Sequence, residues 1–70
     1  MTLTAIIYSG EETDMLIAQN PETGTTTQGK TVQEALDNLR EAVGFYLSEF
    51  PLKQRGKPLL TTFDVEPAHA

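Results

Sequence analysis

The chain has 70 residues, no cysteine, ten acidic residues against five basic ones and a formal net charge of -5. This length allows one small domain, residues 1–70 with an ordered core expected over 2–66, whose core alone supplies only roughly 3–5 kcal/mol, so self-association or docking on another protein is the expected extra stabiliser. The acidic balance argues against unaided nucleic-acid binding, which needs a basic footprint, and suits a basic protein partner.

Residues 2–8 read TLTAIIY. Their β-branched and aromatic content predicts a strand with apolar groups on both faces. Residues 9–13 are polar with a glycine and predict a hairpin turn. Residues 14–19, DMLIAQ, predict a second strand. Residues 20–24, NPETG, form a loop rich in turn formers. Residues 25–28 are short and β-branched, and predict an exposed third strand.

The clearest local signal follows. Thr31-Val32-Gln33-Glu34 fits a capping box, with the Thr31 hydroxyl accepting from the Glu34 N–H and the Glu34 carboxylate reaching back to the Thr31 N–H. Val32, Ala35, Leu36, Leu39, Ala42, Val43, Tyr46, Leu47 and Phe50 then recur at the period of one helical face. Pro51 is expected to stop the helix near Phe50. Phe45 falls off the stripe, which makes it either a contact for a second subunit or a partly exposed aromatic. Phe50, Leu52 and a free sheet edge are the other self-association candidates. Residues 52–58 hold Lys53, Arg55 and Lys57, and residues 59–65, LLTTFDV, predict a last strand with Leu59, Thr61, Phe63 and Val65 on one face. The expected class is α+β, a two-layer β-β-β-α-β sandwich.

Catalytic chemistry finds little support. The absence of cysteine excludes disulfides and thiolate metal sites, and His69, the single histidine, lies beside the last residue. Glu11, Glu12, Asp14 and Asp64 are carboxylates that could serve acid–base work or magnesium, but no His, Lys or further acid accompanies them at metal-like spacing. Solubilising turn and edge charges are the simpler account. Asp14 and Asp64, as strand-borne acids, would be needed for any metal-dependent nuclease remnant. Ser9-Gly10 has no histidine to activate a nucleophile. Gly29-Lys30-Thr31 lacks the upstream glycine of a phosphate loop. The Lys53, Arg55, Lys57 cluster carries three charges without interleaved aromatics, and a solvated loop after a helix explains it. No enzyme activity, cofactor or metal is expected. Residues 1–8 lack a positive n-region and a long apolar run, so the cytoplasm is the expected location.

Residues 19–47 carry a more specific pattern. Pro21, Gly24, Thr27-Gln28-Gly29 and Thr31 lead into Glu34-Ala35-Leu36, Asn38-Leu39 and Glu41-Ala42. This "P-x-x-G-T-x-T-Q-G-x-T" loop, short strand and cap, followed by "E-A-L-x-N-L-x-E-A", resembles the HicB family of antitoxins. The resemblance implies a β-β-β-α-β domain like a shortened ribonuclease H fold without its catalytic acids. It also implies an oligomeric protein that neutralises a small basic HicA-like toxin, itself an mRNA-cleaving protein resembling a double-stranded-RNA-binding domain. The chain departs from the family in ending soon after the last expected strand, without a ribbon–helix–helix or helix–turn–helix domain, so direct DNA binding is not expected. Its loop is also shorter than the family's and lacks cysteines.

On this resemblance and the charge balance, the partner surface is expected at Pro21, Glu22, Gly24, Thr27 and Gln28, with Glu11, Glu12 and Asp14 supplying charge. Phe45, Phe50 and Leu52 are the expected dimer or tetramer contacts. The competing reading is an orphan oligomeric module or subunit that binds through the helix stripe.

Overall fold

A computed structural model describes residues 1–53 and 58–68. Three strands, β1 (Ile6–Ser9), β2 (Leu16–Asn20) and β3 (Thr25–Gly29), are followed by one helix, α1 (Val32–Glu49). The strands form one antiparallel sheet in the order β1-β2-β3. Ile7 pairs with Ala18, and Ala18 with Thr27. The fold is α+β in two layers, with the helix packed mainly against β3 and β2.

Alternation places Ile7, Ala18 and Thr27 on the helix side of the sheet. There Ala18 meets Ala35, Leu39 and Val43 of α1, and all four are buried. Leu3, Ile7 and Leu47 pack at the margin of this core. The opposite face carries Ile6, Tyr8 and Ile17 across β1 and β2, with Ile6 and Tyr8 exposed. No helix among the described residues is long and apolar enough to cross a membrane.

The helix starts where the cap places it. Thr31 has extended φ and ψ, and its hydroxyl accepts from the Glu34 N–H at 3.0 Å. The return bond shifts by one residue, because the Glu34 carboxylate accepts from the Lys30 N–H at 3.3 Å rather than from Thr31. At the other end Phe50 turns extended before Pro51, and its N–H still donates to the Tyr46 carbonyl at 2.8 Å. An extended conformation is what a residue preceding proline favours.

Two expected strands change. The first begins at Ile6 and not at residue 2, because the Thr4 N–H donates to the Glu22 carboxylate at 3.1 and 3.2 Å. The fourth strand, residues 59–65, does not form. No described residue after α1 belongs to a strand, and Leu59 and Phe63 are 88% and 83% exposed. A β-branched, alternating segment becomes a strand only when an edge pairs with it, and within this single chain none does. The β-β-β-α-β expectation is therefore corrected to β-β-β-α. Asp14 lies in the turn between β1 and β2 and Asp64 in the unpaired segment, so neither acid is strand-borne as the nuclease alternative required.

Candidate functional site

The loop between β2 and β3 is built on a buried asparagine. Asn20 ends β2 with its side chain inside the fold. Its amide donates to the Thr4 carbonyl at 2.8 Å and to Glu22 Oε1 at 2.6 Å. Its Oδ1 accepts from the Thr23 N–H at 2.9 Å and the Thr23 hydroxyl at 2.6 Å. A buried amide costs free energy unless both ends are bonded, and here both are. Gly24 closes the turn at φ +77, a region that side chains with a Cβ avoid, and its N–H donates to the Asn20 carbonyl at 2.9 Å.

Glu22 is absorbed into the same network. Partial burial pushes its carboxyl up. Hydrogen bonds from the Thr4 hydroxyl and N–H, its own N–H and the Asn20 amide outweigh that and hold it below the usual carboxylate range. The Thr4 hydroxyl donates at 2.8 Å. Glu22 thus clamps the segment before β1 to the β2–β3 loop, with its carboxylate oxygens hydrogen-bonded within the molecule.

Beside this loop lies a recess of about 600 Å³, lined by Pro21, Glu22, Tyr46, Phe50, Leu52 and Lys53. The Tyr46 and Phe50 rings sit 5.2 Å apart, tilted by 39°. The structure therefore joins two expected partner residues, Pro21 and Glu22, to two expected self-association residues, Phe50 and Leu52. Phe45 lies elsewhere on the helix and is 68% exposed.

The other expected partner residues do not gather here. Glu11, Glu12 and Asp14 occupy the β1–β2 turn, at the opposite end of β2. Five strand residues at about 3.4 Å each separate the two ends by roughly 17 Å. The Leu16–Gly29 pairing sets that turn beside the start of α1. All three carboxylates are exposed and form no ion pair or side-chain hydrogen bond among the described residues. Thr27 faces inward, and its hydroxyl donates to the Ala35 carbonyl at 3.0 Å, so it anchors the helix and is not a contact residue. Gln28 is exposed, and its carbonyl accepts from the Asn38 amide at 2.8 Å. The expected surface is thus two surfaces, an acidic one at the start of the helix and a half-apolar one at its end. Arg55 and Lys57 of the basic cluster, and His69, lie outside the described residues. Lys53 alone is placed, at the rim of the recess.

Asn20, Thr4 and Thr23 were not candidates from the sequence. The Asn-Pro dipeptide followed by threonines is the available signal, since asparagine side chains bond their own backbone two or three residues on. No group of three His, Cys, Asp or Glu residues that could hold a metal occurs among the described residues.

These features define a small α+β domain with a charged end and an apolar end. The chain belongs to a family of unknown function (DUF7387), whose model matches residues 4–69. No curated protein and no solved structure matches it.

Proposed function

We propose that this chain is a HicB-like, non-enzymatic binding protein of the antitoxin type, which neutralises a small basic HicA-like mRNA-cleaving toxin through protein–protein contacts in the cytoplasm. The carrying observation is the exposed acidic turn of Glu11, Glu12 and Asp14, with no ion pair among the described residues, on a chain of net charge -5. Such a surface steers a cationic partner and sets its on-rate. The Pro21-to-Ala42 motif supports the family assignment, and the β-β-β-α order is compatible with the leading part of a HicB-type domain. The lack of cysteine suits a reducing compartment.

The acidic turn is the steering surface in this reading, and the recess beside Pro21 is the apolar anchor. Affinity purification of the tagged chain from its host should capture a small basic protein. Exchanging Glu11, Glu12 and Asp14 for Lys should weaken that complex at least tenfold at low salt and much less at high salt. Purification without any basic partner, or a complex indifferent to the three exchanges, would count against the antitoxin role. The exposed Phe45 and Phe50 favour a second reading, an oligomeric interaction subunit. In that case binding survives the three exchanges and fails on Phe50→Ser.

A further inference from the structure

The chain contains an unpaired strand sequence and an unfilled place for one. Residues 59–65 lie outside the sheet and form no regular secondary structure, with Leu59, Leu60, Phe63 and Val65 exposed. Four large apolar side chains in seven residues are far more than a solvated tail needs. The sheet, for its part, has two edges, and they are not equivalent. The β3 edge is partly closed, because the Asn38 side chain takes the Gln28 carbonyl. The β1 edge has no such cover among the described residues. The Gly10 N–H donates to the Met15 carbonyl. Antiparallel alternation from that bond directs Tyr8 and Ile6 toward β2 and leaves the backbone groups of Ala5, Ile7 and Ser9 facing outward.

Next to that edge lies a groove of about 430 Å³, between residues 1–5 and the helix side chains Leu36, Leu39, Val43 and Leu47. A Cβ placed on Gly44, at its wall, would meet nothing within 4 Å. The groove meets the β1 edge at Ala5, so a strand laid along that edge would find free backbone groups at β1 and an apolar floor beside residues 1–5 for its alternate side chains. Residues 3–9 and residues 59–65 have the same length, about 23 Å when extended. Leu59, Phe63 and Val65 share the face that would enter the groove.

The geometry points to a strand-exchanged homodimer in which residues 59–65 of one copy lie along β1 of a second copy and fill its groove, with the reciprocal contact completing a two-fold pair. The occupant is a second copy, because in the single chain the segment remains solvent-exposed while the groove stays open. Mutual exchange also closes the β1 edges of both copies at once, which a one-sided contact would not. The inference does not depend on a toxin partner; it explains how so small a core becomes sufficient.

Sedimentation velocity of the full chain at micromolar concentration should give a dimer. A donor-blocked variant, L59D with F63D, should raise the dimer dissociation constant by about a hundredfold or more, since two large apolar side chains leave the interface. An acceptor-blocked variant, A5P with S9P, should do the same, because the prolines remove outward donors without touching the β1–β2 ladder. Mixing the two variants should restore a heterodimer, held by one intact segment on one intact edge, which also shows that both variants fold. A monomeric full chain overturns the inference. So does a dimer that survives both blocked variants and is lost only with F45D, which would place the interface on the helix. Binding of a basic partner is read separately, so failure here leaves the proposed function standing or falling by its own test.

Discussion

Asn20 is the residue on which the loop end of the domain turns. It holds four polar partners from a fully buried position, and each hydrogen bond of this kind contributes about 1 kcal/mol net. Truncation also strands the Thr4 carbonyl and the Thr23 groups. Asn20→Ala should therefore cost about 2–4 kcal/mol, measured by urea denaturation, which is much of the stability a chain of this size has. Retention of wild-type stability would mean that water replaces the amide without loss. Glu22 gives the same network a pH dependence. Its folded pKa lies below its unfolded one, so its contribution is fully present above the unfolded value of about 4.3 and is lost as pH falls through the depressed folded value. Acid should weaken the wild type progressively below about pH 4.3, and Glu22→Gln should flatten that part of the curve. Parallel acid curves for the two proteins would assign the acid sensitivity to other carboxylates.

At the scale of elements, the junction between β3 and α1 sets how closely helix and sheet approach. Gly29 is buried at the end of β3, and a Cβ there would lie 2.5 Å from the Ala35 nitrogen and 2.8 Å from the Glu34 carbonyl carbon. Both are backbone atoms of the first helical turn, so no side chain can swing aside. Gly29→Ala should push the helix start off the sheet and destabilise by roughly 1–3 kcal/mol, with the loss of thermal stability exceeding that of Gly24→Ala, where a positive φ is the only obstacle. Equal costs would show that the close approach relaxes. The helix itself was legible in the sequence because its signals are local. Thr31, Glu34 and the apolar period fix its start and face, and Phe50-Pro51 fixes its end within four residues of chain. The three hairpin-connected strands were legible for the same reason. The start of β1 was not, since it depends on Thr4 meeting Glu22 eighteen residues away. The sequence alone suggests one partner patch, because it shows only that Glu11 and Glu22 are both acidic. Only the β2 register shows that they stand at opposite ends of the sheet, one exposed and one half-buried and hydrogen-bonded to Thr4 and Asn20.

For the whole molecule the governing fact is how little is buried. Among the described residues four apolar ones form the closed core, Ala18, Ala35, Leu39 and Val43, and two of them are alanines. The ion pair between Arg40 and Asp37 is exposed and contributes little. Among the described residues ten large apolar side chains stay exposed, including Leu59, Leu60, Phe63 and Val65. If residues 59–65 pair two copies as proposed, the stability of the chain follows mass action. The melting temperature should accordingly rise with protein concentration. For a dimer unfolding to two separate chains, the specific enthalpy of globular proteins gives about 5 °C per tenfold increase. Calorimetry or circular dichroism between about 1 and 100 μM covers two such steps. The L59D/F63D variant should melt lower at every concentration and lose most of the dependence over the same range. If the wild-type transition stays fixed while concentration changes a hundredfold, then the four-residue core and the Asn20 network stabilise the monomer unaided, and the apolar surface answers to a different partner.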